Sequence, residues 1–195
     1  MTPVLRGCVY EPATRSVSPA VEERFGFAEI QVVSFADLYA GKLVAALDRQ
    51  HPRDLFDVRD LLADEGIDNT LRKAFLVYIL SHNRPMAEVL APARLDIAQE
   101  FTRGFQGMTE EPVMLDDLLR TREEFIADLV GRMPDEHRKF LISFEEGNPE
   151  WEVLDVPRAE QLPAVQWRLR NLATIDPKKR QQLVEDLRKA LRVAK

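Results

Sequence analysis

Hydrophobic and polar residues repeat with two different periods along the chain. Residues 4–10 are rich in side chains that favour β-structure, and in residues 27–33 every other side chain is apolar from Ala28 to Val32. Such alternation predicts strands with one buried and one exposed face. A segment that contains proline and serine separates the two stretches, and we expect it to be a loop.

Beyond the second strand, apolar residues recur three and four positions apart, as in an α-helix. Ser34 and Asp37 form the pattern of a capping box for a helix that ends near residue 48, and Pro52 suits the first turn of a second helix that stops near Gly66. Further helices are expected over residues 69–79, 93–105, 115–132, 135–146, 157–173 and 177–193.

The order of these elements predicts an α+β fold that is mostly α. Two strands do not form a stable sheet by themselves, so we expect them either to be the trailing edge of a sheet whose other strands precede Met1 or to lean on the helices. We divide the chain into residues 1–66, with the strands and the first two helices, and residues 67–195, a multi-helix C-terminal bundle.

The composition, with 45% hydrophobic and 31% charged residues in 195, is typical of a soluble globular protein. A single cysteine, Cys8, excludes an intramolecular disulfide and a cysteine-based zinc site, and three scattered histidines do not predict a metal site. No signal-peptide pattern is present and no apolar run approaches the roughly 20 residues that span a bilayer, so we expect a cytoplasmic protein without membrane contact. The net charge of −6 argues against general coating of nucleic acid but leaves room for a local basic patch.

Lys42 has an unusual position on the first predicted helix. Phe35, Leu38 and Ala46 recur at helical spacing, and Lys42 falls within this apolar stripe rather than opposite it. A lysine in that position either extends its amine past apolar neighbours to water or pairs with an anion in a cleft. The spacing leaves both interpretations open.

Two aspartates open the second predicted helix. Asp54 falls on its apolar side and Asp57 borders that side. The helix dipole stabilises carboxylates near the N-terminus by about 0.3–1 kcal/mol. The aspartates are therefore explained either by this effect and an ion pair with Arg53 or Lys42, or by a polar cleft where Lys42 and both carboxylates face a ligand.

The two helices carry a recognisable motif. The run K-L-x-A-A-L-x-R from Lys42, followed by R-D-L-F-D-V-x-D-L-L from Arg53, resembles the third and fourth motifs of the AbiEii/AbiGii toxin family. The preceding Q-V-V-S-F-x-D-L-x-A-x-K and, more weakly, the C-terminal P-A-V-Q-W-R-L-R-N-L extend the resemblance, whose strong part covers about thirty residues. Members of this family are bacterial nucleotidyltransferases of the polymerase-β-like superfamily, paired with an antitoxin in phage defence.

The resemblance implies a role for four residues. Lys42 corresponds to the lysine that contacts the triphosphate, and Asp57 to the later aspartate that helps complete the active site. The resemblance makes Asp54 a second catalytic candidate and Arg53 a second nucleotide-binding candidate. Both residues are also expected to hold the local geometry of the site. The resemblance further implies Mg²⁺ and a nucleoside triphosphate (NTP) in the complete enzyme, an acceptor such as tRNA, and an antitoxin as partner.

The first motif of that family is missing. It consists of a Gly-Ser turn followed by two metal-binding carboxylates one residue apart, and this sequence has neither a Gly-Ser dipeptide nor an Asp-x-Asp. Without them the two-metal arrangement of nucleotidyl transfer is incomplete. We therefore expect the C-terminal portion of such an enzyme, truncated by a misplaced start codon, gene decay or deliberate shortening. Alone it should be inactive and bind neither metal nor nucleotide tightly.

The last predicted helix is basic. From Asp176 to Lys195 there are seven basic and three acidic residues, a net charge of +4. This helix either has a solvated amphipathic face or contacts the phosphates of an RNA such as tRNA. A free strand edge would also favour oligomers.

Three functions follow from these patterns. The chain is part of a nucleotidyltransferase toxin, or a non-catalytic helical interaction module that binds an antitoxin or RNA, or a plain helical protein whose lysine and aspartates are structural.

Overall fold

The computed structural model describes residues 7–192, which form a small hairpin followed by a bundle of helices. Strands β1 (Ala13–Ser16) and β2 (Glu29–Val32) pair in antiparallel fashion, with Ala13 opposite Val32. Helix α1 (Pro19–Phe25) connects them and begins at a proline, which suits a first helical turn.

Ten further α-helices lie within the described residues: α2 (Phe35–Arg49), α3 (Pro52–Asp64), α4 (Asn69–Leu80), α5 (Met86–Leu90), α6 (Ala98–Gly104), α7 (Leu115–Ile126), α8 (Asp135–Glu145), α9 (Trp151–Leu154), α10 (Pro163–Thr174) and α11 (Pro177–Leu191). A π-helical segment, Ala127–Gly131, continues α7, and a 3₁₀ turn, Ala159–Gln161, precedes α10. Within residues 7–192 no helix is long and apolar enough to cross a membrane. The predicted class, α+β and mostly α, is confirmed.

The core is centred on α2 and α4, which pack against each other more extensively than any other pair of elements in the described chain. Ala40, Leu43 and Leu47 of α2 are completely buried, as are Phe75 and Ile79 of α4. Burial of each large side chain contributes about 1.5–3 kcal/mol, so this interface contributes strongly to the stability of the bundle. The buried cluster includes residues on both sides of position 66. A division into two domains there stays a prediction.

The turn between α2 and α3 is fixed by the side chain of Gln50, which is 2% exposed and has a left-handed backbone with φ of 50°. Its Nε2 donates to the carbonyl oxygen of Ala93 at 2.6 Å, and its Oε1 accepts from the amide of Leu95 and from Arg122 Nη1, both at 3.1 Å. These bonds connect the turn to the loop before α6 and to α7. They therefore fix the direction of α3 relative to α2.

The strands differ from the prediction in position and burial. β1 lies in the segment expected to be a loop; residues 7–10 of the first predicted strand are not extended, and its residues 4–6 lie outside the described part. β2 falls within the second predicted strand, but it is not half-buried, because Ile30 is 58% exposed. Alternation identifies a face suited to burial, whereas a packing partner is needed to bury it.

The helix predictions hold best for long elements. Helices α2, α3, α8 and α11 agree with the predicted ranges to within a residue or two. The helices predicted from positions 93 and 157 begin later, at Ala98 and Pro163. Helices α1, α5 and α9 were not predicted, and α1 lies in the segment expected to be a loop. Elements of one or two turns are too short to show a period.

The helix predicted over residues 115–132 changes to π-helix after Ile126. The guanidinium of Arg72, which is 7% exposed, donates to the carbonyl oxygens of Asp128 at 3.3 Å and Leu129 at 2.8 Å. This buried donor satisfies carbonyl groups at the helix end that have no partner inside the helix.

Candidate functional site

Lys42 and Asp57 meet across the interface between α2 and α3. The Nζ of Lys42 lies 2.5 Å from Oδ2 of Asp57, and the two side chains are 31% and 38% exposed. An ion pair this exposed contributes about 0–1 kcal/mol to stability, since water competes for both groups. The pair is therefore accessible to an anionic ligand, which would compete with Asp57 for the ammonium group.

The apolar stripe around Lys42 is buried only at its C-terminal end, where Ala46 is 1% exposed. Phe35 and Leu38 are 44% and 49% exposed, whereas the helix buries the face that contains Ala40 and Leu43. Lys42 thus lies at the boundary between the packed and the open side of the helix.

Asp54 forms a second ion pair one turn away. Its Oδ1 lies 2.7 Å from Nη2 of Arg49, its side chain is 12% exposed, and its Oδ2 has no hydrogen-bond partner among the described residues. Its position in the first turn of α3 also favours negative charge. Asp54 joins the end of α2 to the start of α3, and it is Asp57, not Asp54, that the fold brings to Lys42.

Arg53 points away from the Lys42–Asp57 pair. Its Nε and Nη2 donate to the carbonyl oxygen of Gly104 at 3.3 and 3.1 Å, and Nη2 also lies 3.4 Å from Sδ of Met108. Arg53 therefore connects the start of α3 to the end of α6, a role in local geometry. Nδ1 of His51 accepts from the amide of Arg53 at 3.2 Å and caps α3.

Asp37 has a larger role than the sequence indicated. It is 2% exposed, and its carboxylate accepts from the amides of Val9 at 2.7 Å and Tyr10 at 3.0 Å, from Oγ of Ser34 at 2.7 Å and from the hydroxyl of Tyr78 at 3.2 Å. Burial, and after it the charge of Asp37, raise the pKa of Tyr10. Asp37 connects the segment before β1 to α2 and α4, five positions before Lys42. The S-x-x-D pattern predicted the cap but not the distant amides.

The carboxylates near Lys42 do not form a metal site by themselves. Oxygen ligands for Mg²⁺ must converge on one point, but Asp57 is paired with Lys42 and Asp54 with Arg49. No group of three or more His, Cys, Asp or Glu side chains that could hold a metal ion is found within residues 7–192. The described residues therefore do not fit the divalent metals of nucleotidyl transfer.

Much of the positive charge at the C-terminal end is neutralised internally. Arg168 lies 3.5 Å from Glu145, Arg188 lies 3.0 Å from Glu146, and Lys189 pairs with Asp186. Burial raises the pKa of Glu145, against the effect of Arg168. Between residues 168 and 192, exposed basic side chains without an ion pair among the described residues remain at Arg170, Lys178, Lys179 and Arg192. Any contact with RNA phosphates on this side would depend on these four.

Residues 13–33, which we call the arm, contain β1, α1 and β2 and no buried side chain. Large apolar side chains on it are strongly exposed, with Phe25 at 77% and Phe27 at 65%. Five of the eleven exposed large apolar residues in the described chain lie on the arm. A soluble protein rarely leaves such a concentration uncovered, so this surface is suited to contact another macromolecule.

Comparison with known proteins places these features in a family. Residues 1–171 match the family described as nucleotidyl transferase AbiEii toxin, type IV TA system, and the matched region includes the arm, the Lys42–Asp57 pair and most of α10. No curated protein and no solved structure matches the chain. Since the match covers far more than half of the 195 residues, the resemblance noted in the sequence is confirmed. The chain belongs to the AbiEii family of nucleotidyltransferase toxins of type IV toxin–antitoxin systems.

Proposed function

We propose that this chain supplies the phosphate-binding part of a nucleotidyltransferase toxin that transfers nucleotides from an NTP to an acceptor such as tRNA. The observation that carries the proposal is the accessible Lys42–Asp57 pair, 2.5 Å apart, formed by the two residues that the sequence resemblance assigns to triphosphate contact and to the active site. A plain structural role explains the pair less well, because an exposed ion pair adds little stability.

In this proposal each site residue has a distinct task. Lys42 binds the triphosphate through its ammonium group, and Asp57 holds and orients that ammonium group when phosphate is absent. Asp54, through Arg49, fixes the angle between α2 and α3. Arg53, through Gly104, holds the start of α3 in place, so that Asp57 stays opposite Lys42.

The metal-binding carboxylates are to be supplied by polypeptide outside this sequence, because neither a Gly-Ser turn nor an Asp-x-Asp occurs in it. Mg²⁺ at such carboxylates would stabilise the attacking and leaving oxygens. We therefore propose that the chain on its own is inactive.

Transfer and phosphate binding test the proposal separately. The purified chain with Mg²⁺ and each labelled NTP should label no tRNA, whereas inorganic tripolyphosphate should bind and protect Lys42 from amine-modifying reagents. Lys42→Ala should abolish tripolyphosphate binding, and Lys139→Ala, which removes the same charge from an exposed site, should not. Labelling of tRNA by the parent chain that disappears in Lys42→Ala would contradict the proposal that the chain alone is inactive. Equal binding by both variants would contradict the phosphate role.

A second candidate function is that of a non-catalytic module that binds the antitoxin, and the arm favours it. An edge strand with exposed apolar neighbours is suited to pair with an added strand. In a pull-down with the cognate antitoxin, Ile30→Lys should reduce capture, whereas Leu95→Lys, at an apolar position of similar exposure outside the arm, should not. Equal capture by both variants would exclude the arm as the antitoxin surface.

The proposed tRNA contact depends on the free basic residues at the start of α11. Reversal of Lys178 and Lys179 to Glu should weaken tRNA binding and reduce its salt dependence, since fewer counterions are released. Lys189→Glu changes a lysine that already pairs with Asp186. It should therefore weaken tRNA binding less, per residue changed, than the double variant. Unchanged anisotropy titrations for the double variant would place the RNA elsewhere.

A further inference from the structure

Two aromatic rings precede Lys42 on the open side of α2. The ring centroids of Phe35 and Tyr39 are 4.5 Å apart with an interplanar angle of 39°, and Lys42 Nζ lies 5.8 Å from the centroid of Tyr39. Phe35, Tyr39 and Lys42 occupy positions i, i+4 and i+7, so they follow one another along one face of the helix.

The two rings differ in their surroundings. Tyr39 is half-buried and packs against the hydrophobic core, which holds its ring in place. Phe35 is 44% exposed and stacks on Tyr39 from the solvent side. A phenyl ring that remains uncovered but is supported by a fixed neighbour offers a flat apolar surface to a ligand.

We propose that Phe35 and Tyr39 form the base-binding half of a nucleotide site whose phosphate-binding half is Lys42. This inference rests on the proposed function, because it takes the phosphate contact of Lys42 as given. A nucleobase stacks on the exposed side of Phe35, and the triphosphate extends along α2 to the ammonium group. Seven residues of helix separate the two ends by about 10 Å, a distance that one extended nucleoside triphosphate spans.

The chemistry of the surface selects the kind of ligand. Stacking on a phenyl ring accepts any base, with purines favoured by their larger area, and provides no hydrogen bonds that read a base edge. Lys42 is the positive group beside the rings, and it already forms an ion pair with Asp57. A single nucleotide therefore suits the site better than a nucleic-acid backbone with many charges.

Calorimetric titration with ATP and with inorganic tripolyphosphate separates the two halves of the site. We expect the chain to bind ATP more tightly than tripolyphosphate. Phe35→Ala should weaken ATP binding about tenfold, the usual effect of losing one stacking partner, and leave tripolyphosphate binding unchanged. Phe35→Trp should retain the preference for ATP. Trp167→Ala, which removes an aromatic ring of similar exposure (45%) outside the site and outside the arm, is the matched control and should bind both ligands like the parent.

The outcomes distinguish this inference from the function on which it rests. If Phe35→Ala binds ATP and tripolyphosphate in the same ratio as the parent, the rings do not hold the base and the inference is wrong, while a loss of tripolyphosphate binding in Lys42→Ala still supports the phosphate role. If the parent binds no tripolyphosphate, or Lys42→Ala binds it normally, the phosphate role fails, and the nucleotide site fails with it.

Discussion

Charged residues in this protein fall into two classes by their surroundings. Asp37 and Asp54 are buried and hold backbone amides or a guanidinium group, whereas Lys42 and Asp57 are about one-third exposed and hold only each other. When a buried acceptor is removed, its hydrogen-bond donors are left without partners. When an exposed acceptor is removed, water can replace it. Variants of the two classes should therefore differ sharply in stability.

Asp37→Ala should destabilise the protein by about 3 kcal/mol, because the buried amides of Val9 and Tyr10 lose a charged acceptor. Urea unfolding followed by circular dichroism measures the change. Asp60→Ala removes a carboxylate that is 43% exposed and should cost less than about 0.5 kcal/mol. Equal losses for the two variants would show that the Asp37 connections contribute little.

Lys42→Met and Asp57→Asn should each change the free energy of unfolding by less than about 1 kcal/mol, and their double-mutant coupling should be equally small. The reason is the exposure of both side chains at 31% and 38%. Thermal and urea unfolding of the four proteins in the cycle gives these values. Strong destabilisation by both single changes would support a structural ion pair and remove the main argument for a ligand site.

At the scale of elements, the arm and the bundle differ in what their apolar residues do. On the packed faces of α2 and α4 such residues are buried against each other, and in the arm they face solvent. The alternating pattern of β2 and the helical pattern of α2 are equally clear in the sequence. Only the contacts show that one is packed and the other is not.

Ile30→Ser in β2 should therefore leave the stability of the bundle within about 0.5 kcal/mol of the parent, since Ile30 is 58% exposed. Leu43→Ala in α2, at a fully buried position, should cost about 2–5 kcal/mol. Chemical denaturation compares the two. A large loss in Ile30→Ser would show that the hairpin is packed in solution.

At the scale of the whole molecule, His137 makes stability depend on pH. Its side chain is fully buried in α8, and neither ring nitrogen has a hydrogen-bond partner among the described residues. Burial lowers the pKa of His137; nearby Arg72 and Lys73 lower it further, while Glu136 raises it. Below pH of about 6.5 the unfolded chain binds a proton that the folded chain does not. Stability is then lost as the pH falls from that value toward the folded pKa.

We expect the parent to lose up to about 1.4 kcal/mol per pH unit below pH 6.5 through this residue. His137→Phe should abolish that part of the slope. His51→Asn, at a half-buried helix cap that retains an acceptor, should preserve it. Urea midpoints at several pH values measure the slopes, and identical slopes for the parent and His137→Phe would contradict the prediction.

How much of the structure the sequence predicted depends on how far apart in the chain the interacting residues lie. Ser34, Pro52 and Asp176 act on their own helix, and the helices that they begin were predicted closely. The pairing of Lys42 with Asp57 was one of two open interpretations, because spacing along a helix gives the face but not the neighbour. The set of hydrogen bonds around Asp37 was not predictable, since its partners Val9 and Tyr10 lie 28 and 27 positions away.

The sequence by itself determined the mostly helical class, the long helices with their caps and the family motif at Lys42 and Arg53, because these depend on local propensity and on residues close together in the chain. Tertiary structure decided which face of α2 is buried, which acid meets Lys42, and that the arm remains uncovered. These outcomes depend on which distant surfaces pack together, and that is set by the shapes of whole helices rather than by any local pattern.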